Sequence, residues 1–234
     1  GVWYPSVAVS PDGQNLYVAW EQHMGIVGGL PYRAIWYMEG IWNGSGVTWG
    51  APRQLSAPET QLALRPDIVI DGAGRVHIIW ARIQGYLAQP EGQYIEYLNT
   101  TDNVIRLVDA YPVGVNSIRP TLTLPRIDAY QSTICVAWHG YRLGTPAFED
   151  VLLRCSSDAG QSWTVTVNTT ESGADGALSL FPALALDGTG LVHLAWEEFQ
   201  GGASYFTNYD ILYRAGSAEI KVNTLYLPLI MRGR

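Results

Sequence analysis

The chain has 234 residues, 47% hydrophobic and 15% charged, and its net charge of −7 is set against thirteen arginines and one lysine, Lys221. That composition excludes a disordered segment. Without a basic stripe it also excludes electrostatic capture of nucleic acid or an anionic membrane. No apolar run approaches the ~20 residues that span a bilayer. Nine tryptophans and fourteen tyrosines point to core mass, to a sugar-stacking surface, or to both.

One pattern recurs four times: YPSVAVSPDGQNLYVAW over Tyr4–Trp20, RPDIVIDGAGRVHIIW over Arg65–Trp80, RPTLTLPRIDAYQSTICVAW over Arg119–Trp138 and FPALALDGTGLVHLAW over Phe181–Trp196. The closing tryptophans are 60, 58 and 58 residues apart. A period of that size marks a propeller, solenoid or array. Each copy reads as two strands around a tight turn, with Asp12-Gly13, Asp71-Gly72 or Asp187-Gly188 as the turn pair. Those glycines are expected at positive φ, with each aspartate bonding backbone two residues on. The third copy has no such glycine, and Pro125–Ala129 is expected to form a longer connection. Ile68, Val69, Ile70, Val76, Ile78 and Ile79 make both strand faces apolar. A sheet dry on both faces must sit between neighbours, as radially packed blades do.

After each tryptophan comes a segment rich in Gly, Gln and aromatics (21–33, 81–93, 139–149 and 197–209), expected to be a long loop. Third strands then start at Ala34, Tyr94, Val151 and Ile211, and less regular fourth strands follow. The expected fold is all-β: a β-propeller of four-stranded antiparallel blades. Four blades are visible, at about 1–60, 61–117, 118–176 and 177–224. No Ser/Gly-rich or charged linker separates them. The tail Leu225–Arg234 falls outside the pattern and is read as a latch strand. The chain opens on Gly1 rather than methionine, which reads as a mature or excised form.

Cys135 lies on the second strand of copy three and Cys155 on the next strand. If the hairpin brackets 139–149, the two face each other across an antiparallel pair. A disulfide is expected, implying an oxidising compartment and a secreted or surface-exposed protein. The alternative is a pair of buried thiols.

Copy three carries the most specific motif, Ser156-Ser157-Asp158-Ala159-Gly160-Gln161-Ser162-Trp163. It matches S-x-D-x-G-x-[ST]-W, and with the recurring Arg/Tyr/Phe-Pro and Val-His-x-x-Trp elements the chain resembles the sialidase-like, Asp-box (BNR) repeat superfamily. The resemblance implies a propeller, usually six-bladed, found in sialidases, other glycan-active enzymes and non-catalytic surface proteins. It makes Ser156, Asp158, Gly160 and Trp163 structural: the aspartate accepts turn N–H groups and the tryptophan packs beneath. With four blades visible, the ring is four-bladed, or further blades come from a missing segment or another chain through association.

Antiparallel strands put the start of strand one and the end of strand two at one end of each blade. That end carries Arg65, Arg119, Arg82, Glu21, Glu197 and His139, with Tyr141 and Tyr205 among the aromatics that follow. These eight are the candidate ligand-binding residues, for glycan or for protein. Planar guanidinium groups suit a carboxylate, and the sialidase pattern implies an arginine cluster of Arg65, Arg119 and Arg82 or Arg142. Arg-Pro recurring in two copies reads better as a repeat feature paired with glutamates. His77 and His193 share one repeat position and read as satisfied core residues, whereas His23 and His139 are freer to act. No catalytic residue, metal set or cofactor is assigned. The expected function is a non-catalytic secreted propeller binding glycan or protein. The alternatives are a sialidase-type glycoside hydrolase and a structural module of an extracellular assembly.

Overall fold

The structure, a computed structural model, describes residues 1–27, 30–57, 62–86, 89–112, 123–142, 145–170, 178–199 and 209–217. Every regular element among them is a strand. The chain divides into two compact units, Gly1–Val113 and Gly114–Arg234.

In the first unit, blade one is β1 (Val2–Val9), β2 (Asn15–Val27), β3 (Leu30–Trp42) and a fourth position split into β4 (Val47–Trp49) and β5 (Arg53–Gln54). Both short strands pair with β3. The split falls at Gly50-Ala51-Pro52, where proline offers no N–H to the ladder. Blade two is β6 (Leu62–Ile70), β7 (Val76–Tyr86), β8 (Gln89–Asn99) and β9 (Val104–Pro112), antiparallel in sequence order. In the second unit, blade three is β10 (Arg126–Tyr130), β11 (Thr133–Arg142), β12 (Thr145–Ser156) and the two-residue β13 (Val167–Asn168). Blade four shows β14 (Leu178–Leu186), β15 (Leu191–Phe199) and β16 (Tyr209–Ser217). Its expected fourth strand and the tail Leu225–Arg234 lie outside the described residues.

The two faces of a blade do different work, because side chains alternate across a strand. In the first unit Ala8, Tyr17, Ala19, Ile35 and Tyr37 of blade one meet Ile68, Val76, Ile78, Trp80 and Leu98 of blade two in one apolar cluster. In the second, Cys135, Ala137, Val151, Leu153 and Cys155 of blade three meet Leu184, Leu186, Val192, Leu194, Trp196 and Leu212 of blade four. The tryptophan-bearing face of the later blade therefore packs on the Ala/Tyr/Ile-type face of the earlier one. Each such large side chain taken out of water contributes about 1.5–3 kcal/mol.

Cys135 and Cys155 are directly paired in the β11–β12 register, with Cα atoms 4.1 Å apart, and are joined by a disulfide. The expected bridge is present.

Three local expectations change. In blades two and four the left-handed turn residue is the second glycine of D-G-x-G, Gly74 (φ 79°) and Gly190 (φ 82°), rather than Gly72 or Gly188. The Gly74 and Gly190 amides close turns onto the Asp71 and Asp187 carbonyls, while the aspartate side chains accept from Ala73 and Thr189 two residues on. Blade one keeps the simpler form, with Gly13 at φ 73°. In blade three Pro125–Ala129 is not the connection, because Arg126–Tyr130 is a strand. The turn is the two residues Gln131 and Ser132, with Gln131 at φ 54°. Finally, the supposed long loops after Trp20, Trp80 and Trp138 are mostly strand: β2 runs to Val27, β7 to Tyr86 and β11 to Arg142 before their hairpins turn.

Candidate functional site

The first strands of three blades share one backbone device. Their registers to the second strand slip between Trp3 and Ser6, between Leu64 and Asp67, and between Leu180 and Ala183. The slipped residues are Tyr4-Pro5, Arg65-Pro66 and Phe181-Pro182, and Tyr4, Arg65 and Phe181 sit at φ 50°, 54° and 51°. A non-glycine residue there is strained. A bulge leaves it unpaired in the ladder and re-aims its side chain.

What holds the bulge comes from the preceding blade. The Arg65 N–H donates to Glu21 Oε2 at 3.2 Å, and the Phe181 N–H donates to His139 Nδ1 at 3.3 Å. Glu21 and His139 each directly follow the closing tryptophan of their blade, so one repeat position caps the next blade's bulge. Glu21 is fully buried, with its other oxygen on Arg33 Nη1 at 2.6 Å. His139 is also buried and stands edge-on to the Phe181 ring at 5.2 Å. The expectation that His139 is freer to act is corrected: its ring is occupied as an inter-blade acceptor.

Around the first bulge the side chains form an exposed aromatic and cationic surface. The Arg65 guanidinium lies 5.1 Å from the Tyr4 ring centre and that of Arg33 lies 4.9 Å from Trp3. His23 meets Trp3 edge-on at 6.2 Å. Trp3 and Tyr4 are both exposed. Two guanidinium groups therefore back two aromatic rings, with a buried carboxylate between the cations and the blade. Trp3 and Arg33 were not singled out from sequence. Their signal is the pairing of β2 with β3, which sets Arg33 opposite His23.

Arg82 does not join that surface as a carboxylate clamp. Its Nε bonds Glu96 Oε1 at 2.5 Å and its guanidinium stacks 3.7 Å from the Tyr94 ring centre. Glu96 also takes the indole N–H of Trp80 at 2.8 Å. The same job falls to Gln22 for Trp20, at 3.2 Å, and to Glu198 for Trp196, at 2.8 Å. Ser179 adds a 2.5 Å bond to Glu198. Capping a buried indole N–H is a structural need, so Glu96 and Glu198 are satisfied core acceptors. Glu197 occupies the position of Glu21 and His139 in blade four, half-buried and without a hydrogen-bond or ion-pair partner among the described residues. Arg119 and Tyr205 lie outside the described residues; Tyr141 is placed on β11, opposite Glu149.

At the opposite end of each blade the aspartates hold turns. Asp158 accepts from the Ser162 N–H at 2.9 Å and from the Ser156 and Ser162 hydroxyls at 2.7 and 2.5 Å, and Gly160 takes φ 83°. Burial works against its charge, but those bonds win and keep its carboxyl below the usual carboxylate range. His77 and His193 are tied differently. Each Nδ1 lies 2.6 Å from a tyrosine hydroxyl on the third strand, Tyr97 or Tyr213. Each Nε2 lies 3.2 Å from the turn aspartate, Asp71 or Asp187. Among the described residues no group of His, Cys, Asp and Glu is arranged to hold a metal ion, and no helix is long and apolar enough to cross a membrane.

No protein-family model matches the chain, and no curated protein matches it. Solved structures do. The GH93 α-L-arabinofuranosidase of Fusarium graminearum, in complex with arabinobiose, matches 97% of this chain and 65% of its own at TM-score 0.62 and 17% identity. An α-L-arabinanase of Penicillium chrysogenum complexed with arabinobiose matches over 99% and 66%, at TM-score 0.62 and 16% identity. A xylan β-1,4-xylosidase from Bacillus halodurans C-125 matches over 97% and 43%, at TM-score 0.51 and 12% identity. The chain thus has the all-β, β-propeller fold of these glycosidases and spans about two thirds of the length of the first two. Their names carry arabinan and xylan chemistry, not sialidase chemistry, so the likeness extends to a propeller-type glycosidase fold and no further. The expectation of a non-catalytic binding propeller is overturned by the same neighbours, which are glycoside hydrolases.

Proposed function

We propose that this chain belongs to a glycoside hydrolase that acts on arabinan or a related pentose-containing polysaccharide. The observation that carries the reading is the match of nearly the whole chain to an arabinofuranosidase and an arabinanase at TM-score 0.62. Side-chain chemistry supports it. Trp3 and Tyr4 offer apolar ring faces to the C–H face of a sugar, and Arg33 and Arg65 stand behind the rings as donors for hydroxyl groups. Glu21 fixes that surface and does not react, since both its oxygens are already bonded to Arg33 and to the Arg65 amide. A sialidase-type arginine clamp gains no support from Arg82, which is committed to Glu96. The Cys135–Cys155 bridge supports a place outside the reducing cytosol, secreted or at the cell surface.

The test is to incubate the protein with arabinan, arabino-oligosaccharides, xylan and a sialoside and to measure the sugar released. Arabinose or arabinobiose is expected, falling at least tenfold with the double variant Tyr4→Ala/Arg65→Ala. Release of sialic acid alone, or of no sugar from any of the four, overturns the proposal.

A further inference from the structure

The end of blade one away from Trp3 and Tyr4 carries chemistry of its own. There β3 turns into β4 through Asn43-Gly44-Ser45-Gly46, beside the Asp12-Gly13 turn, where the Trp42 N–H donates to the Gln14 carbonyl at 2.8 Å. Asn43 is the one asparagine in the sequence that a glycine follows. The Asn43 N–H closes the turn onto the Gly46 carbonyl at 3.1 Å, next to the pair Trp42–Val47. Residues 43–45 are exposed. So are residues 101–103 of the matching turn between β8 and β9, although blade two packs on blade one. Exposure here is a property of the hairpin tip.

The asparagine side chain is held at one atom only. Its Oδ1 accepts from the Ser45 N–H at 3.1 Å, the Gly46 N–H at 3.0 Å and the Ser45 hydroxyl at 2.9 Å. Three donors aimed at one carbonyl oxygen stabilise the negative charge that gathers there when its carbon is attacked. Nδ2 has no hydrogen-bond partner among the described residues, and neither has the Gly44 N–H. Gly44 sits at φ 89°, and no atom lies within 4 Å of where a Cβ would start. Two other asparagines show what is missing elsewhere. Asn99 is buried and precedes Thr100, and Asn168 commits its Nδ2 to Asp150 at 2.6 Å.

We propose that Asn43 is a self-modifying site, at which the folded turn converts asparagine to aspartate and isoaspartate with water as the co-reactant. The Gly44 nitrogen attacks Asn43 Cγ and gives its proton to water, and charge gathers on Oδ1 beneath its three donors. The Cγ–Nδ2 bond then breaks, and Nδ2 takes up protons from water and leaves as ammonia. A succinimide ring remains. Water opening it at Cγ restores the ordinary main chain with an aspartate. Water opening it at the main-chain carbonyl carbon leaves isoaspartate, with the chain routed through Cβ and Cγ. The sum is one water consumed and one ammonia released, with nothing oxidised or reduced. In the isoaspartate product the extra main-chain carbon falls inside the tight β3–β4 turn.

The experiment ages the folded 234-residue protein at neutral pH and follows each asparagine by peptide mass mapping. Isoaspartate is scored by labelling with an isoaspartyl methyltransferase. Asn43 is expected to convert faster than every other asparagine, to a mixture of the two products. Ser45→Ala removes one donor from Oδ1 and leaves the main-chain donors in place. It is expected to slow conversion several-fold in the folded protein and to change nothing in urea, where the turn is absent. Conversion of the wild type confined to urea overturns the inference, and so does a folded rate that Ser45→Ala leaves unchanged. Neither outcome bears on sugar release, because the turn lies at the opposite end of the blade from Trp3 and Tyr4.

Discussion

Blade two and blade three solve one mechanical problem in two ways. At the same repeat position on the second strand, blade two has His77 and blade three has Cys135. His77 reaches diagonally to Tyr97 on the third strand and back to Asp71 in the turn. Cys135 reaches straight across to Cys155. His77 Nδ1 and the Tyr97 hydroxyl share a 2.6 Å hydrogen bond, while Nε2 faces the Asp71 carboxylate at 3.2 Å as a close contact. Blade two thus brings turn, second strand and third strand together around one imidazole. Blade three, whose turn is Gln131-Ser132, has no aspartate in that place and uses a covalent tie. The lesson is that the repeat conserves a cross-strand fastening rather than a residue type.

Breaking the covalent tie should cost most. Cys135→Ser, or reduction of the bridge across its separation of 20 residues, is expected to lower stability by about 2–4 kcal/mol, read as a fall in the denaturation midpoint. An unchanged midpoint would show that the β11–β12 ladder needs no fastening. Next comes Tyr97→Phe, which leaves Nδ1 of a fully buried histidine without its hydrogen-bond partner and should cost about 1–3 kcal/mol. Tyr213→Phe makes the same deletion in blade four, where the histidine side chain is 30% exposed and water can substitute, so a smaller loss is expected. Equal losses would mean that burial does not set the strength of the clamp.

The smallest effect is with pH. Burial pushes the His77 pKa below its ordinary value, against the opposing pull of Asp71. The unfolded chain therefore takes up a proton near the usual histidine pKa while the folded one resists it. Stability from this group is full above that value and is lost as pH falls through it toward the lower folded value. Melting temperature is expected to drop from pH 7.5 to 5.5, and the drop should shrink in His77→Gln. A drop of the same size in that variant would assign it to other groups.

The sequence told much about the blades because their signals are local or periodic. Tryptophan spacing set the repeat, and antiparallel register alone sufficed to pair Cys135 with Cys155. The hairpin ends were harder. Val27, Tyr86 and Arg142 lie in stretches whose glycine and glutamine content suggests loop, yet the chain stays paired there because each hairpin extends past its apolar part. In the third copy, Thr121–Leu124 alternates better than Arg126–Tyr130, so pattern misplaced the turn by several residues. At the candidate site Arg65 and Glu21 were both visible, but not what joins them. Their link runs from a backbone N–H, freed by a bulge, to a carboxylate in the preceding blade, and a register slip has no residue signature beyond the proline that follows it. The ion pair of Glu21 with Arg33 and the capping of Trp80 by Glu96 were missed for a related reason. Both cross from one strand to the next, over 12 and 16 residues of sequence.

Tyr4, Arg65 and Phe181 share nearly one backbone angle and nothing else: a phenol, a guanidinium and a plain ring. A proline follows each, and at Arg65 and Phe181 a cap from the preceding blade holds the main chain as well, so the identity of the outgoing group is uncoupled from the scaffold. Evolution, or an engineer, can therefore exchange what the protein offers at these three sockets one at a time while the architecture beneath stays put.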